Sequence, residues 1–396
     1  MALQEKLTNT IQKAIDEYMV AGASMLVIKD GKEVAYAQAG EADRERQKPF
    51  QRDTIIRLYS QTKPITAAAA MILMERGEID LCQQVGEIIP AYRHLTVENA
   101  GCKRRAAQTP LCIHNLLNMT SGLSYPDGST PSGKGADVVF SEACKRLNTD
   151  HEMSTLELAE RLAEGPLAYD PGTSWQYGTS ADVLGAVIEV VTGMSLGDFM
   201  EQEIFKPLGM QDTGFYVPQE KRSRLASVYW TQTDENDKPI GLLPYIGDNL
   251  AINYYMDHSP AYMAGGAGLA STLDDYSRFA AMLMNHGTYE GTQILKPATV
   301  KYMTGGELMP DQQLGFNKWI GLSGYSYGNL MRVCKNPGQA PLFSGKGEYG
   351  WDGWLGAYFA NLPEEKLTIL MATQKKDAGT FTLTRKLRNI VLSELL

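Results

Sequence analysis

The sequence predicts an α+β fold in which an antiparallel β-sheet, flanked by N- and C-terminal helices, carries a large and mainly helical insertion. Three observations point there. First, "GASMLVIKDGKEVAYAQAG", residues 22–40, reads as strand, Asp-Gly turn and strand, and Asp-Gly between such runs is among the stronger local hairpin signals. Second, "LGAYFANLPEEKLTILMAT" at 355–373 repeats that pattern at the other end of the chain. Third, both ends are closed by amphipathic stretches, "MALQEKLTNTIQKAIDEYMV" and "FTLTRKLRNIVLSELL", while the middle is helical and loop-rich. Residues 1–60 with 287–396 are therefore expected to form an α/β sheet domain, and 61–286 a mainly helical one, with the active site in the cleft between them.

In chain order, the first helix and hairpin are followed by "RLYSQTKPITAAAAMILMERGEIDL", residues 57–81. The alanines with Met71 and Met74 form an apolar run of strong helix formers, and Gly77 stops it. Pro64 fits only an opening turn, because it has no N–H to donate. Ser60 is accordingly expected at or near the N-cap, with Lys63 one turn away on the same face. A lysine there faces the positive end of the helix dipole, a poor place for a structural cation and a suitable one for a general base.

Further helices are expected near 155–164, 180–192, 196–204, 273–286 and 297–303. "CKRRAAQ" at 102–108 reads as a solvated basic loop, and "SYPDGSTPSGKGAD" at 124–137 as a flexible loop that rims a cleft. Two decoys fall away. "GSTPSGKG" fails as a phosphate loop because Gly135 replaces the metal-binding hydroxyl, Pro131 interrupts it and no strand leads in. "GMSLG" fails as a nucleophile elbow because a helix enters it; Gly193 is expected as a C-cap and Ser195 as the next N-cap.

Composition bounds the function. The apolar fraction of 43% and charged fraction of 21% are ordinary for a globular chain. A net charge of −9 without a basic stripe argues against nucleic-acid binding. No charged leader precedes a hydrophobic segment and no apolar run is long enough to span a bilayer, so a cytoplasmic protein with no membrane partner is expected. Five widely spaced cysteines without a C-x-x-C pair read as reduced packing residues. The five histidines include no pair at metal-ligand spacing, and neither metal nor cofactor is expected.

"YDPGTSWQYGTSADVLGAVIEVVTG", residues 169–193, places a turn at Asp170-Pro171-Gly172 and Tyr177 just before a helix capped by Thr179 or Ser180. With "SQTK" plus proline, "LLNMTSGLSY", "IFKPLGMQDTGF", "AGGAGLASTLDDYSRFAAMLMNHG" and "YGWDGWLGAYFANLPEE", in that order, the chain from about residue 10 to its end resembles the serine β-lactamase and penicillin-binding-protein-like superfamily. It is most similar to the family VIII carboxylesterases. The resemblance implies a β-lactamase/transpeptidase-like fold and an acyl-enzyme on Ser60, with Lys63 and Tyr177 sharing the work of the base. It further implies an oxyanion hole from the N–H groups of Ser60 and Trp354, and substrate contacts at Thr179, Trp351, Asp352 and Gly353.

Two departures from the pattern matter. Tyr177-Gly178-Thr179 stands where many lactamases have Y-x-N. Trp351-Asp352-Gly353 stands where lactamases have K-T-G and related esterases tend to W-G-G, and tryptophan cannot supply the cation that helps hold a β-lactam carboxylate. Strand alternation is expected to turn Asp352 away from the face of Trp351. Tyrosines in 245–263 are candidates for a cleft wall, with ordinary packing as the alternative. The expected activity is hydrolysis of small carboxylic esters, the partner a small-molecule ester. The alternatives are acyl transfer to an alcohol, weak β-lactamase or D-amino-acid amidase or peptidase action, and a non-catalytic sensor.

Overall fold

In the computed structural model, which describes residues 2–99, 103–319 and 321–396, the two ends of the chain build one eight-stranded antiparallel sheet. Its strands are β1 (Gly22–Lys29), β2 (Lys32–Asp43), β3 (Lys48–Pro49), β4 (Tyr325–Gly328), β5 (Met331–Cys334), β6 (Tyr349–Asp352), β7 (Tyr358–Leu362) and β8 (Leu367–Thr373), in the spatial order β4-β5-β6-β7-β8-β1-β2-β3. The two expected hairpins lie side by side, β1 against β8 from Ala23 opposite Thr373 to Lys29 opposite Leu367. At the first hairpin's turn Asp30 and Gly31 have φ of 52° and 72°, the left-handed pair that a tight hairpin needs.

Both faces of the sheet are covered, which is why "LTILMAT" is buried at every position instead of alternating. Five helices frame it: α1 (Leu3–Asp16), α2 (Lys63–Glu75), α3 (Ser180–Thr192), α4 (Leu273–Met284) and α5 (Thr382–Leu395). On one face, Leu7 and Ile11 of α1 with Leu383, Leu387 and Val391 of α5 pack on Met25, Val27, Ile369 and Met371. On the other, Leu26, Phe359 and Leu370 meet the large core shared by α2, α3 and α4. Helix α2 is buried from Lys63 to Leu73, a helix apolar all round at the centre of the molecule. It ends as expected, with Gly77 at φ 72° and the Glu78 N–H closing onto the Leu73 carbonyl.

The caps of the second decoy are as the sequence has them. Gly193 is left-handed at φ 67°, and the Ser195 hydroxyl accepts the Asp198 N–H at 3.1 Å. Three expectations need correction. Residues Lys103–Ala106 are a strand, paired with Thr96–Asn99 in a small hairpin, and Arg105 forms an ion pair with Asp170; the loop reading failed because polar edge strands carry no apolar alternation. The segment 124–137 is only half a loop. Pro131 opens a helix, Pro131–Arg146, whose cap is the Thr130 hydroxyl bonded to the Gly133 N–H, so the proline that seemed to interrupt is the first helical residue. Of the cysteines, Cys334 is buried but Cys82 and Cys144 are exposed, and Cys102 lies outside the described residues. Among the described residues no single helix is long and apolar enough to cross a membrane.

Between the sheet and α5 sits a buried charge cluster. Glu348 accepts from Arg388 at 2.8 Å and stands 3.9 Å from Arg332, with all three side chains essentially inaccessible. Removing the carboxylate strands two buried cations. Glu348→Ala is expected to lower the unfolding free energy by about 3–5 kcal/mol, read from urea denaturation of the purified variant.

Candidate active site

Ser60 and Lys63 are brought together by a strained entry into α2. The chain arrives along Ile56–Arg57, paired with Ala270–Ser271, and the Leu58 N–H bonds the Leu269 carbonyl at 2.8 Å. Tyr59 then takes φ 46°, a left-handed conformation that is costly for a bulky residue and that concentrates at functional sites. Its ring packs edge-on against Trp354, centroids 4.9 Å apart. Tyr59–Thr62 form one 3₁₀ turn that runs directly into α2 at Lys63. Ser60, expected at or near the N-cap, lies inside that turn two residues before the cap position Thr62, with its hydroxyl free of capping.

The Lys63 amine is wholly buried and donates to three oxygens: Gly266 O at 2.8 Å, Tyr125 Oη at 3.0 Å and Ser60 Oγ at 3.1 Å. All three ammonium protons have acceptors, none of them an anion. Desolvation accordingly pulls the amine down to about 7, opposed by the negative charges of Asp182 and Asp352. Tyr177 covers the amine from the other side, its ring centroid 4.6 Å from Nζ. Burial raises the Tyr177 phenol above its usual range, while hydrogen bonds from Ser60 and from the Trp351 indole N–H, the latter at 3.0 Å, pull the other way. Tyr125 is likewise held protonated by burial, and its ring lies 5.5 Å from that of Tyr177.

Glycines make these approaches possible. A Cβ on Gly265 would fall 2.4 Å from Ala181 O, and one on Gly266 would fall 2.7 Å from Asp182 Oδ2 and 3.0 Å from Tyr125 Oη. Only a bare backbone can pass between α2 and the start of α3 and present the Gly266 carbonyl to Lys63. Likewise a Cβ on Gly353 would fall 2.0 Å from Leu58 O, so this glycine lets the end of β6 lie flush against the residue before Tyr59. The Gly353 N–H is taken by Ala357 O at 2.7 Å. The Trp354 N–H has no acceptor among the described residues, and Trp354 lines the same cavity as Ser60.

The family model described as "Beta-lactamase" matches residues 7–392. The chain belongs to the β-lactamase family. A protein of Mycobacterium tuberculosis is 31% identical over 379 residues, covering 92% of this chain and 88% of its own. Esterase EstB of Burkholderia gladioli is 29% identical over 405 residues, covering 98% and 95%. Among solved structures, that titled "EstCE1, a hydrolase with promiscuous acyltransferase activity" superposes with a TM-score of 0.79 at 24% identity, covering 98% of each chain; at that identity the likeness speaks for the fold. Membership and the esterase relative together make this β-lactamase-family chain an enzyme of the serine hydrolase type.

A cavity of about 670 Å³ opens on Ser60 and Tyr177, walled by Trp319, Trp351 and Trp354. Trp351 is thus among the residues that line this cavity. Asp352, expected to face away from Trp351, accepts a hydrogen bond from the Thr380 hydroxyl and lines the same cavity, with Gly353 and Arg332. Thr179 is placed elsewhere than expected. It is fully buried, its hydroxyl directed at Ser124 O, and it supports the turn behind Tyr177 instead of reaching substrate. None of the tyrosines of 245–263 lines this cavity: Tyr245 packs edge-on against Trp354, Tyr254 lies under Arg57, Tyr262 bonds Asp182, and Tyr255 is exposed.

Tyr125, Asp182, Gly266 and Trp319 escaped the sequence reading. Tyr125 closes the quoted stretch "LLNMTSGLSY", and that position was the one available signal. Gly266→Ala is expected to keep the fold, by circular dichroism and thermal melting, but to push the carbonyl off Lys63 and reduce hydrolytic turnover about 100-fold.

Proposed function

We propose that the protein hydrolyses small neutral carboxylic esters through an acyl-enzyme on Ser60. The single observation that carries this reading is the wholly buried Lys63 amine, 3.1 Å from the Ser60 hydroxyl and with no anion in contact. Such an amine is poised near neutrality to be a base. Ser60 Oγ attacks the ester carbonyl carbon while its proton passes to the Lys63 and Tyr177 pair. The oxyanion lies against the Ser60 and Trp354 N–H groups. The C–O bond to the alcohol breaks as the phenol of Tyr177 returns a proton to the leaving oxygen, and water then repeats the sequence on the acyl-enzyme. Lysine and phenol titrate as a coupled pair.

The aromatic wall supports neutral substrates. Burying hydrocarbon against Trp319, Trp351 and Trp354 is favourable, whereas a carboxylate set against Trp351 loses water without gaining a cation. Acyl transfer to an alcohol uses the same acyl-enzyme, and the hydrolase EstCE1 is titled with both activities.

Ser60→Ala is expected to lose three to six orders of magnitude in turnover, roughly the range for removing a nucleophile from a working unit. Ser195→Ala should keep turnover and lose about 1 kcal/mol of stability as a missing cap. Labelling of Ser195 instead of Ser60 by an active-site phosphonate would overturn the assignment.

The pH profile follows from Lys63, held down to about 7 by burial. Below that pH the amine carries its proton and cannot take one from Ser60, so kcat/KM should rise with pH through the neutral range and then level. Lys63→Arg should not restore activity, since guanidinium stays protonated. A panel of p-nitrophenyl esters beside a chromogenic cephalosporin tests specificity, and comparable efficiency on both would move the protein to the lactamase branch.

A further inference from the structure

Behind the Lys63 amine lies a buried carboxylate that the acyl-transfer chemistry does not consume. Asp182 stands in the first turn of α3 and is 2% exposed. Its Oδ1 accepts the Tyr262 hydroxyl at 2.7 Å and the Gly266 N–H at 3.0 Å. Its Oδ2 is buried without a hydrogen-bond partner among the described residues. The same Gly266 whose N–H binds this carboxylate offers its carbonyl to Lys63 at 2.8 Å. Asp182 and Lys63 are thus linked through one residue's backbone, beyond the reach of a direct salt bridge.

We propose that Asp182 is a positioning residue for the reaction, one that fixes the Gly266 backbone under the Lys63 amine and, through its buried charge, sets the pH at which that amine becomes a base. The inference rests on Lys63 acting as the base, as proposed above.

Two physical arguments support it. Burial raises the Asp182 carboxyl, and the Lys63 ammonium is the largest of the opposing influences, ahead of the Tyr262 and Gly266 hydrogen bonds; the carboxylate in turn favours the ammonium against desolvation. The position also suits an anion, because the first turn of a helix favours negative charge. The ionisable groups that face this pair are few. Lys63 is approached by the phenols of Tyr125 and Tyr177 and, from the end of β6, by Asp352; Asp182 is approached by Tyr262 and Tyr125, with Tyr92 and Tyr177 further off. Burial keeps the Tyr125 and Tyr262 phenols protonated across the working range, so neither imitates the effect.

Asp182→Asn is the decisive variant, because the amide oxygen can still accept from Tyr262 and Gly266 while the charge is gone. With the anion removed, the ammonium is less favoured and loses its proton at lower pH. The acid limb of kcat/KM on p-nitrophenyl butyrate, followed from pH 5 to 9, should move down by about one unit. Normalised to its own plateau, the variant should then be several-fold more active than the parent near pH 6. Tyr262→Phe, which withdraws one donor from the carboxylate and favours its neutral form, should move the limb the same way by less. A merely structural role would lower the plateau or the melting temperature and leave the limb in place, and an unmoved limb in folded Asp182→Asn overturns the proposal. Should that variant not fold, an unmoved limb in Tyr262→Phe does so. Full turnover in Lys63→Arg would instead remove the base assignment, and this inference with it.

Discussion

The constraint on which the rest of the structure depends is the burial of one amine. An ammonium taken out of water is penalised severely unless it is paired or neutralised, and Lys63 receives neither a direct carboxylate nor solvent. It receives a carbonyl, a phenol and a hydroxyl, each within about hydrogen-bond length. Those three are enough to hold the side chain in place and too few to hold its proton firmly. A helix that is buried all round is needed to deny water to the amine, and the alanine run of α2 supplies it. The apolar packing of α2 and the reactivity proposed for its first residue are therefore one design decision.

Close backbone approach is the second requirement, and it explains glycines that composition alone would assign to flexible loops. Gly265 and Gly266 carry no positive φ in the structure; they are glycines because a side chain would collide with α3 and Tyr125. Gly353 serves the same purpose on the sheet side, against the Leu58 carbonyl. Between these two contacts the chain is forced through the left-handed Tyr59, whose strain is sustained by its packing on Trp354 and Leu355. The hydroxyl of Ser60 is presented by compression from both sides, not by a cap.

How much of this was legible follows from the range of each signal. The paired hairpins, the terminal helices and α2 are local patterns of period two or 3.6, and they were readable. Ser60 and Lys63 were readable as a pair because they are three positions apart. The turn that holds them was not, since the left-handed Tyr59 is packed against Trp354, about three-quarters of the chain away. Tyr125 and Gly266 stand 62 and 203 positions from Lys63, and no periodicity connects them to it. Thr179 was misplaced for the converse reason: adjacency to Tyr177 suggested contact with substrate, yet at the start of a buried helix neighbouring side chains diverge, and its own points to Ser124. The helix from Pro131 was hidden by its glycines, which weaken propensity, although Thr130 and Pro131 form a proper start.

The third motif raises a last question, because two arginines do line the cavity and a cation there could stand in for the lysine that lactamases carry. Their hydrogen bonds argue against it. Arg332 gives Nη2 to the Phe359 carbonyl at 3.3 Å and lies 3.9 Å from Glu348, a carboxylate it shares with Arg388. Arg385 donates to the Thr380 carbonyl at 2.7 Å and to the Thr382 hydroxyl at 3.0 Å. Arg332 ties β5 to β7 and Arg385 braces the start of α5, and Asp352 and Asp377 line the same cavity. An incoming carboxylate would meet balanced charge there and an indole beside Ser60. Both arginines of the cavity thus already have protein partners, which supports the proposal that the wall at Trp351 is one for hydrocarbon.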